Sequence, residues 1–332
     1  MTKPLVVLSG IFRNEAAGIL ETLAPLAPLI DVVAVLDTGS TDGTPELIEK
    51  WSKDNNKPCI VVRGSWPGRF DVARNQSMQI AQSVQADWIL DWDADWVLTG
   101  DILGLRKALE QGSPAHALQF NVLTPASEIL AARLRRSDAP FTWRGGVHEE
   151  ITWMGSPGTQ PIIGQLDGVK AIYKNTTTEE QRQARYKRDI EILSQDAETN
   201  SRSAFYLAQT LANTGDIDGA VPWYLKAAEN PAAPAGMRAV ALFRAGVFTD
   251  SVQHFKQSFI IDPSRAEPLW ELAKRGVKGA AEIAYNMPRP KNAQFVYNEY
   301  YTLKDGGPTN NPRVLQMREA QVNALFDFGG AE

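Results

Sequence analysis

Cysteine is almost missing from this chain of 332 residues: Cys59 is its one example, so no internal disulfide is available and a disulfide scaffold is excluded. Histidine is nearly as scarce. His116, His148 and His254 stand far apart without CxxC or HxxxH spacing, which excludes a structural zinc site. Long apolar runs are also lacking. Leu5–Leu8 is too short for a signal-peptide core, and Pro25, Pro28 and Asp31 break the best candidate for the roughly 20-residue span that a membrane helix needs. A soluble, cytoplasmic protein with no membrane partner is expected. Positive charge is not in excess either: 34 Lys and Arg against 39 Asp and Glu leave a net charge of −5, the wrong sign for wrapping polyanions without regard to sequence.

What remains is an ordinary globular composition, 43% hydrophobic and 22% charged, in a chain long enough for two domains at roughly 100–200 residues each. The first 110 residues alternate strand and helix signals. Short buried-strand patterns at Leu5–Ile11, Asp31–Leu36, Cys59–Val62 and Trp88–Leu90 are separated by helical spacing at Ile19–Leu29, Glu46–Trp51 and Phe70–Ser83. Such alternation predicts an α/β domain with a mostly parallel central sheet, whose ligands sit at the carboxyl ends of the strands. From about Thr177 the pattern turns helical, with turns at Asn213–Asp216, Asn230-Pro231, Asp262-Pro263 and Met287-Pro288. Ala204–Pro231 fits the 34-residue tetratricopeptide spacing; an ordinary amphipathic hairpin is the alternative.

Four polar clusters fall where chemistry is expected. Asp91-Trp92-Asp93-Ala94-Asp95 follows an apolar strand, and in extended chain its three carboxylates project to one side. They repel one another unless positive charge sits among them, and a hard cation such as Mn²⁺ or Mg²⁺ suits oxygen ligands; the alternative is a solvated acidic loop. Asp37–Thr44 is a tight turn before a helix, able to receive a nucleoside or simply to cap the helix through Asp42. Arg69–Asn75 sets two cations around Asp71, with Arg74 available to a diphosphate or to a structural ion pair. The fourth joins Arg133-Leu134-Arg135-Arg136 to Trp143–Glu150, phosphate-seeking cations beside carboxylates able to take a proton.

Taken in order, these clusters resemble the family-2 glycosyltransferases of GT-A fold. Ile11–Glu15 is similar to the family's "KNE" segment, Asp37–Thr44 to "DTGSTDGT", Phe70–Asn75 to "FxxARN" and Asp93-Ala94-Asp95 to the DXD motif. Gly146-Val147-His148-Glu149 and Glu267–Ala273 are similar to segments of the branch in which tetratricopeptide-like helices follow the catalytic domain. The resemblance implies a catalytic domain over residues 1–175, a helical domain over 176–332, and transfer of a sugar from a nucleotide-sugar, expected to be a UDP-sugar, with inversion. It further implies that Asp37 and Thr38 contact the nucleoside, that Asp71, Arg74, Asp93 and Arg136 bind the donor, and that Asp93 and Asp95 hold Mn²⁺ or Mg²⁺. Glu149 is the implied base, with Asp95 beside it in catalysis. Two departures stand out: Trp96 replaces the glutamate that usually follows DXD, and Gln165-Leu166-Asp167-Gly168 replaces a His-x-Gly, so Asp167 is expected to complete the metal site. The acceptor is a peptide, a glycan or a hydroxymethylated nucleobase, and the helices suit a homo-oligomer. A catalytically dead scaffold and a nucleotidyltransferase are the competing classes; the second lacks its basic glycine-rich loop.

Overall fold

A computed structural model describes residues 3–124, 127–174, 178–287 and 308–326. It divides into two compact units, Met1–Thr177 and Thr178–Glu332. The expected boundary between 175 and 176, and Pro288 of the last turn, lie outside the described residues.

The first unit is built on an eight-stranded sheet. Strands β1 (Val6–Phe12), β2 (Val32–Asp37) and β4 (Trp88–Trp92) are buried along almost their whole length, as continuous apolar runs must be when both faces of a parallel sheet are covered. Between them lie α1 (Ile19–Leu23), α2 (Thr44–Asp54), β3 (Cys59–Arg63) and α3 (Phe70–Ser83). The helical spacing read over Ile19–Leu29 yields only a short α1 and a single 3-10 turn at Ala24–Leu26, because Pro25 has no backbone N–H to donate to the ladder. The rest of the unit is β5 (Trp96–Gly100), α4 (Ile102–Glu110), β6 (Ala117–Leu123), β7 (Glu128–Arg136), β8 (Phe141–Arg144), β9 (Glu150–Trp153) and β10 (Ile163–Tyr173).

Strand order is β3-β2-β1-β4-β7-β6-β10-β5, with β8 and β9 forming a separate hairpin. The β3-β2-β1-β4 half is parallel throughout; β7 and β5 then enter antiparallel to their neighbours. Phe12 pairs with Asp37 and Gly10 with Trp92, so β1, β2 and β4 finish side by side and carry their polar clusters to one edge of the sheet. Beneath that edge Trp92 is fully buried, edge-on to Trp96 with ring centroids 5.7 Å apart, its indole N–H donating to the Trp96 carbonyl at 3.2 Å. Gly10 is required here. A Cβ at that position would lie 2.8 Å from the Trp92 carbonyl oxygen, and the Ser77 hydroxyl from α3 bonds both the Gly10 N–H and its carbonyl.

The second unit is helical: α5 (Glu179–Leu193), α6 (Ser201–Asn213), α7 (Ile217–Glu229), α8 (Ala235–Thr249), α9 (Val252–Ile261), α10 (Glu267–Lys274), α11 (Ala280–Asn286) and α12 (Pro312–Leu325). The first helices of successive pairs, α6, α8 and α10, begin 34 and then 32 residues apart. Small residues line the buried seams: Ala204, Ala208, Ala220 and Ala227 have no exposed surface, and a Cβ on Gly246 would press 2.9 Å from the Phe255 ring. The side chains of Asn200, Asp216 and Ser251 cap α6, α7 and α9. Among the described residues no helix is long and apolar enough to cross a membrane.

Candidate functional site

The first turns of α3 organise the site. Phe70, Asp71, Arg74 and Asn75 share a helix face, and each grips the loop and hairpin that carry Glu149. The Phe70 N–H donates to the Gly146 carbonyl at 3.0 Å, and Asp71 accepts from the Gly145 N–H at 3.1 Å while pairing with Arg69. Asn75 donates to the Trp143 carbonyl and accepts from its N–H, both at 2.9 Å. Gly145, at φ +106°, makes the bend that returns the chain toward α3.

Arg74 is the centre of the cluster. Its Nε donates to Glu149 and its Nη2 to Asp93, each at 2.5 Å, with the side chain 9% exposed. Asp93 takes a second guanidinium, Arg133 Nη2, at 3.0 Å. Arg133 lies over the rings of Trp96 (4.5 Å) and Trp143 (5.2 Å), and Arg74 lies over Trp143 as well, at 4.9 Å. Burial opposes charge on Asp93, but Arg133 and Arg74 outweigh it and hold its carboxyl below the ordinary range. Burial likewise opposes charge on Arg74, and Asp93 with Glu149 more than compensates. Among the described residues, Arg133 Nη1 and Trp143 Nε1 are buried donors without an acceptor, as is Arg135 Nη1 in its pair with Asp91.

Asp95 is in a different position. Burial first, then the charges of Asp93 and Glu15, push its carboxyl up to about 7. Burial and the charge of Asp42 raise Glu15 too. Here negative charge is concentrated beyond what the neighbouring guanidiniums offset, and carboxylate oxygens are the ligands that Mn²⁺ and Mg²⁺ favour, so Asp93 and Asp95 fit such an ion. Among the described residues no three Asp, Glu, His or Cys side chains form a ready ligand group, so other ligands would come from the donor's phosphate oxygens.

Across β1, the turn after β2 is locked to the Asn14-Glu15 segment. Asn14 accepts from the Thr41 N–H, Thr44 from the Glu15 N–H and Asp42 from the Ala16 N–H. Asp37 closes its own turn, accepting from the Gly39 and Ser40 N–H groups and the Ser40 hydroxyl, while Thr38 donates to the Phe12 carbonyl.

A profile of the family described as glycosyl transferase family 2 matches residues 11–191, more than half of the chain. The chain belongs to glycosyl transferase family 2. A TPR repeat-containing protein of Synechococcus elongatus is 35% identical over 135 residues, 40% of this family-2 chain; the chain spans 30% of that relative's length. Among solved structures, Staphylococcus aureus TarS 1-349 in complex with UDP-GlcNAc is similar over 74% of this chain and 88% of its own, at 14% identity and a TM-score of 0.45. A mannosyltransferase from Pyrobaculum calidifontis in complex with GDP-Man and Mn²⁺ is similar over 74% and 76%, at 15% identity and a TM-score of 0.38.

The fold of this family-2 member is the expected one, an α/β domain followed by helices. The structure brings Arg74, Asp93, Asp95 and Glu149 to one place, with Asp37 and Thr38 at the same end of β2, which is separated from β4 by β1. Asp71 lies next to them but spends its oxygens on Arg69 and Gly145.

Two expected site residues lie elsewhere. Arg136 pairs with Trp88, at the opposite end of β4 from Asp93, and is bound to Asp138. Arg133 is the residue of that basic run that reaches the site, while Arg135 forms a buried pair with Asp91 at 2.6 Å. Asp167 is exposed on β10. Tyr173 of that strand pairs with Trp96 and Val169 with Gly100, so Asp167 lies beyond the far end of the ladder, on the order of 20 Å from Asp95. It cannot share an ion with Asp93 and Asp95.

The carboxylate row also divides. Asp91 and Asp93 do share a face, but Asp91 belongs to the core, and arginines supply the positive charge between them. Trp143 and Asn75 were not singled out by the sequence. Arg133 is the extra residue where β7 slips register, Leu134 pairing with Leu118 and Ala132 with Gln119, and no local pattern in the sequence marks that irregularity.

Proposed function

We propose that the chain is a metal-dependent, inverting glycosyltransferase that moves a sugar from a nucleotide-sugar to an acceptor hydroxyl or thiol. The observation that carries this reading is the junction of Glu149, Arg74 and Asp93 at the carboxyl end of β4, with Asp95 beside it. Glu149 accepts the acceptor proton as its oxygen or sulfur attacks the anomeric carbon from the face opposite the nucleotide. The bond from the anomeric carbon to the diphosphate breaks, its electron pair stays on the departing nucleoside diphosphate, and the configuration inverts. Asp93 and Asp95 would hold Mn²⁺ or Mg²⁺, which supplies positive charge to the diphosphate. Arg74 and Arg133 add two cations from the chain, and Trp96 and Trp143 keep water off them. Asp37 and Thr38 face the nucleoside, for which uridine is our first choice. The acceptor is a peptide, glycan or hydroxymethylated nucleobase, and the helical unit presents it or joins a second copy.

The test is incubation with MnCl₂ and a panel of UDP- and GDP-sugars, following release of the nucleoside diphosphate. Slow donor hydrolysis without acceptor, abolished by Asp93→Ala, is expected. No release from any donor, with no nucleotide raising the melting temperature, would favour the scaffold reading; release of pyrophosphate would favour a nucleotidyltransferase.

A further inference from the structure

At Asp93 and Glu149 charge is already balanced without any ligand, while Asp95 stands beside them with no guanidinium paired to it among the described residues. Arg74 and Arg133 face Asp93 and Glu149, and both oxygens of Asp93 accept from a guanidinium. A divalent cation arriving alone at Asp93 would meet two guanidiniums. A diphosphate arriving alone would meet Asp93, Asp95 and Glu149. Arriving together they restore the balance, because the anion can take the guanidinium that the cation displaces.

The buried donors point to the same anion. Among the described residues Arg133 Nη1 and Trp143 Nε1 are buried without an acceptor. Leaving buried donors unmade is costly, and phosphate oxygens are rich in acceptor sites. Arg74 differs from Arg133 in what it holds. One guanidinium ties Asp93, the proposed metal ligand, to Glu149, the proposed base, whereas Arg133 touches Asp93 alone and is stacked between two indole rings.

We propose that Arg74 is a binding-order latch: it holds Asp93 and Glu149 together until a nucleoside diphosphate draws it away, so that cation and diphosphate bind with strong mutual dependence and neither binds well alone. The latch rests on the glycosyltransferase reading above, and it adds a reason why Glu149 is not exposed as a base before the donor is in place. Removing Arg74 frees Oδ1 of Asp93 and takes one cation out of the site while Arg133 stays on Oδ2, so a variant without the Arg74 guanidinium binds a divalent cation alone more tightly than the native chain does.

The experiment measures binding, not turnover. Free Mn²⁺ is counted by electron paramagnetic resonance during titration of the full chain with MnCl₂, with and without UDP or GDP, correcting for the Mn–nucleotide complex. Native protein is expected to gain on the order of tenfold or more in Mn²⁺ affinity when the diphosphate is present, and the diphosphate to gain the same factor from Mn²⁺, as linkage requires. Arg74→Met is expected to bind Mn²⁺ alone about tenfold more tightly and to lose most of the mutual dependence, while Arg74→Lys, which keeps the charge, stays close to native in binding Mn²⁺ alone. Circular dichroism reports whether the variants fold; if Arg74→Met does not, Arg74→Gln takes its place, and a variant that folds yet binds Mn²⁺ alone no more tightly than native would overturn the latch. Equal Mn²⁺ affinity with and without diphosphate would overturn the latch while leaving the metal site standing. Absence of Mn²⁺ binding in every form, with nucleotide or without, would remove the metal site and the latch together.

Discussion

Asp95 offers a quantitative test, because its carboxyl is held near 7 by burial and by the charges of Asp93 and Glu15. An unfolded aspartate titrates near 3.9, so between about pH 4 and 7 the folded chain binds a proton that the unfolded chain has released. The folded state binds more protons over that window, and stability falls as pH rises through it. A shift of about three units at roughly 1.4 kcal/mol each sets a ceiling of about 4 kcal/mol; Asp95 is partly solvated and its charge is shared with neighbours, so about 2 kcal/mol is expected. Asp95→Asn removes the charge at nearly constant shape. In EDTA at pH 8 it should be more stable than native by about that amount, and at pH 4 the two should coincide, read from urea unfolding midpoints at each pH. A variant no more stable at pH 8, or a gap that stays constant from pH 4 to 8, would refute the argument.

Three further outcomes follow from the geometry. Asp91→Ala leaves Arg135 fully buried without its carboxylate and should cost about 3–5 kcal/mol in urea unfolding; a loss below 1 kcal/mol would move Asp91 out of the core and into the site. Asp167→Ala and Arg136→Ala should leave Mn²⁺ and UDP affinities unchanged by calorimetry, since both residues lie away from the cluster. Glu149→Gln should lower kcat by about 10²–10⁴ in donor-to-acceptor transfer; unchanged transfer would dismiss it as the base.

The parallel half of the sheet was legible because its strands are local apolar runs ending in turn residues. Phe70–Ser83 forms one helix with the bounds its spacing suggests. The antiparallel half was not, since β7 finds β4, and β10 finds β5 and β6, across distant sequence, and β10, with Gly164, Gln165, Asp167, Gly168 and Lys170, has no clean alternation and carries a register shift between Gln165 and Lys170. For the same reason the sequence suggested Asp167 for the metal and Arg136 for the donor: both assignments depend on which end of a strand a residue occupies. Arg74, Asp93 and Glu149 were within reach because each sits in a compact motif, whereas their mutual pairing, across 19 and 75 positions of chain, is tertiary.

The loop bearing Glu149 is hung from the opening turns of α3, and α3 is itself stitched to β1 through Ser77 and Gly10. Glu149 is therefore aimed by α3 and β1, and not by the hairpin it belongs to. A change at the far end of the hairpin, at Phe141 or Trp153, leaves the aim of Glu149 to the contacts that Gly145 and Gly146 make with α3.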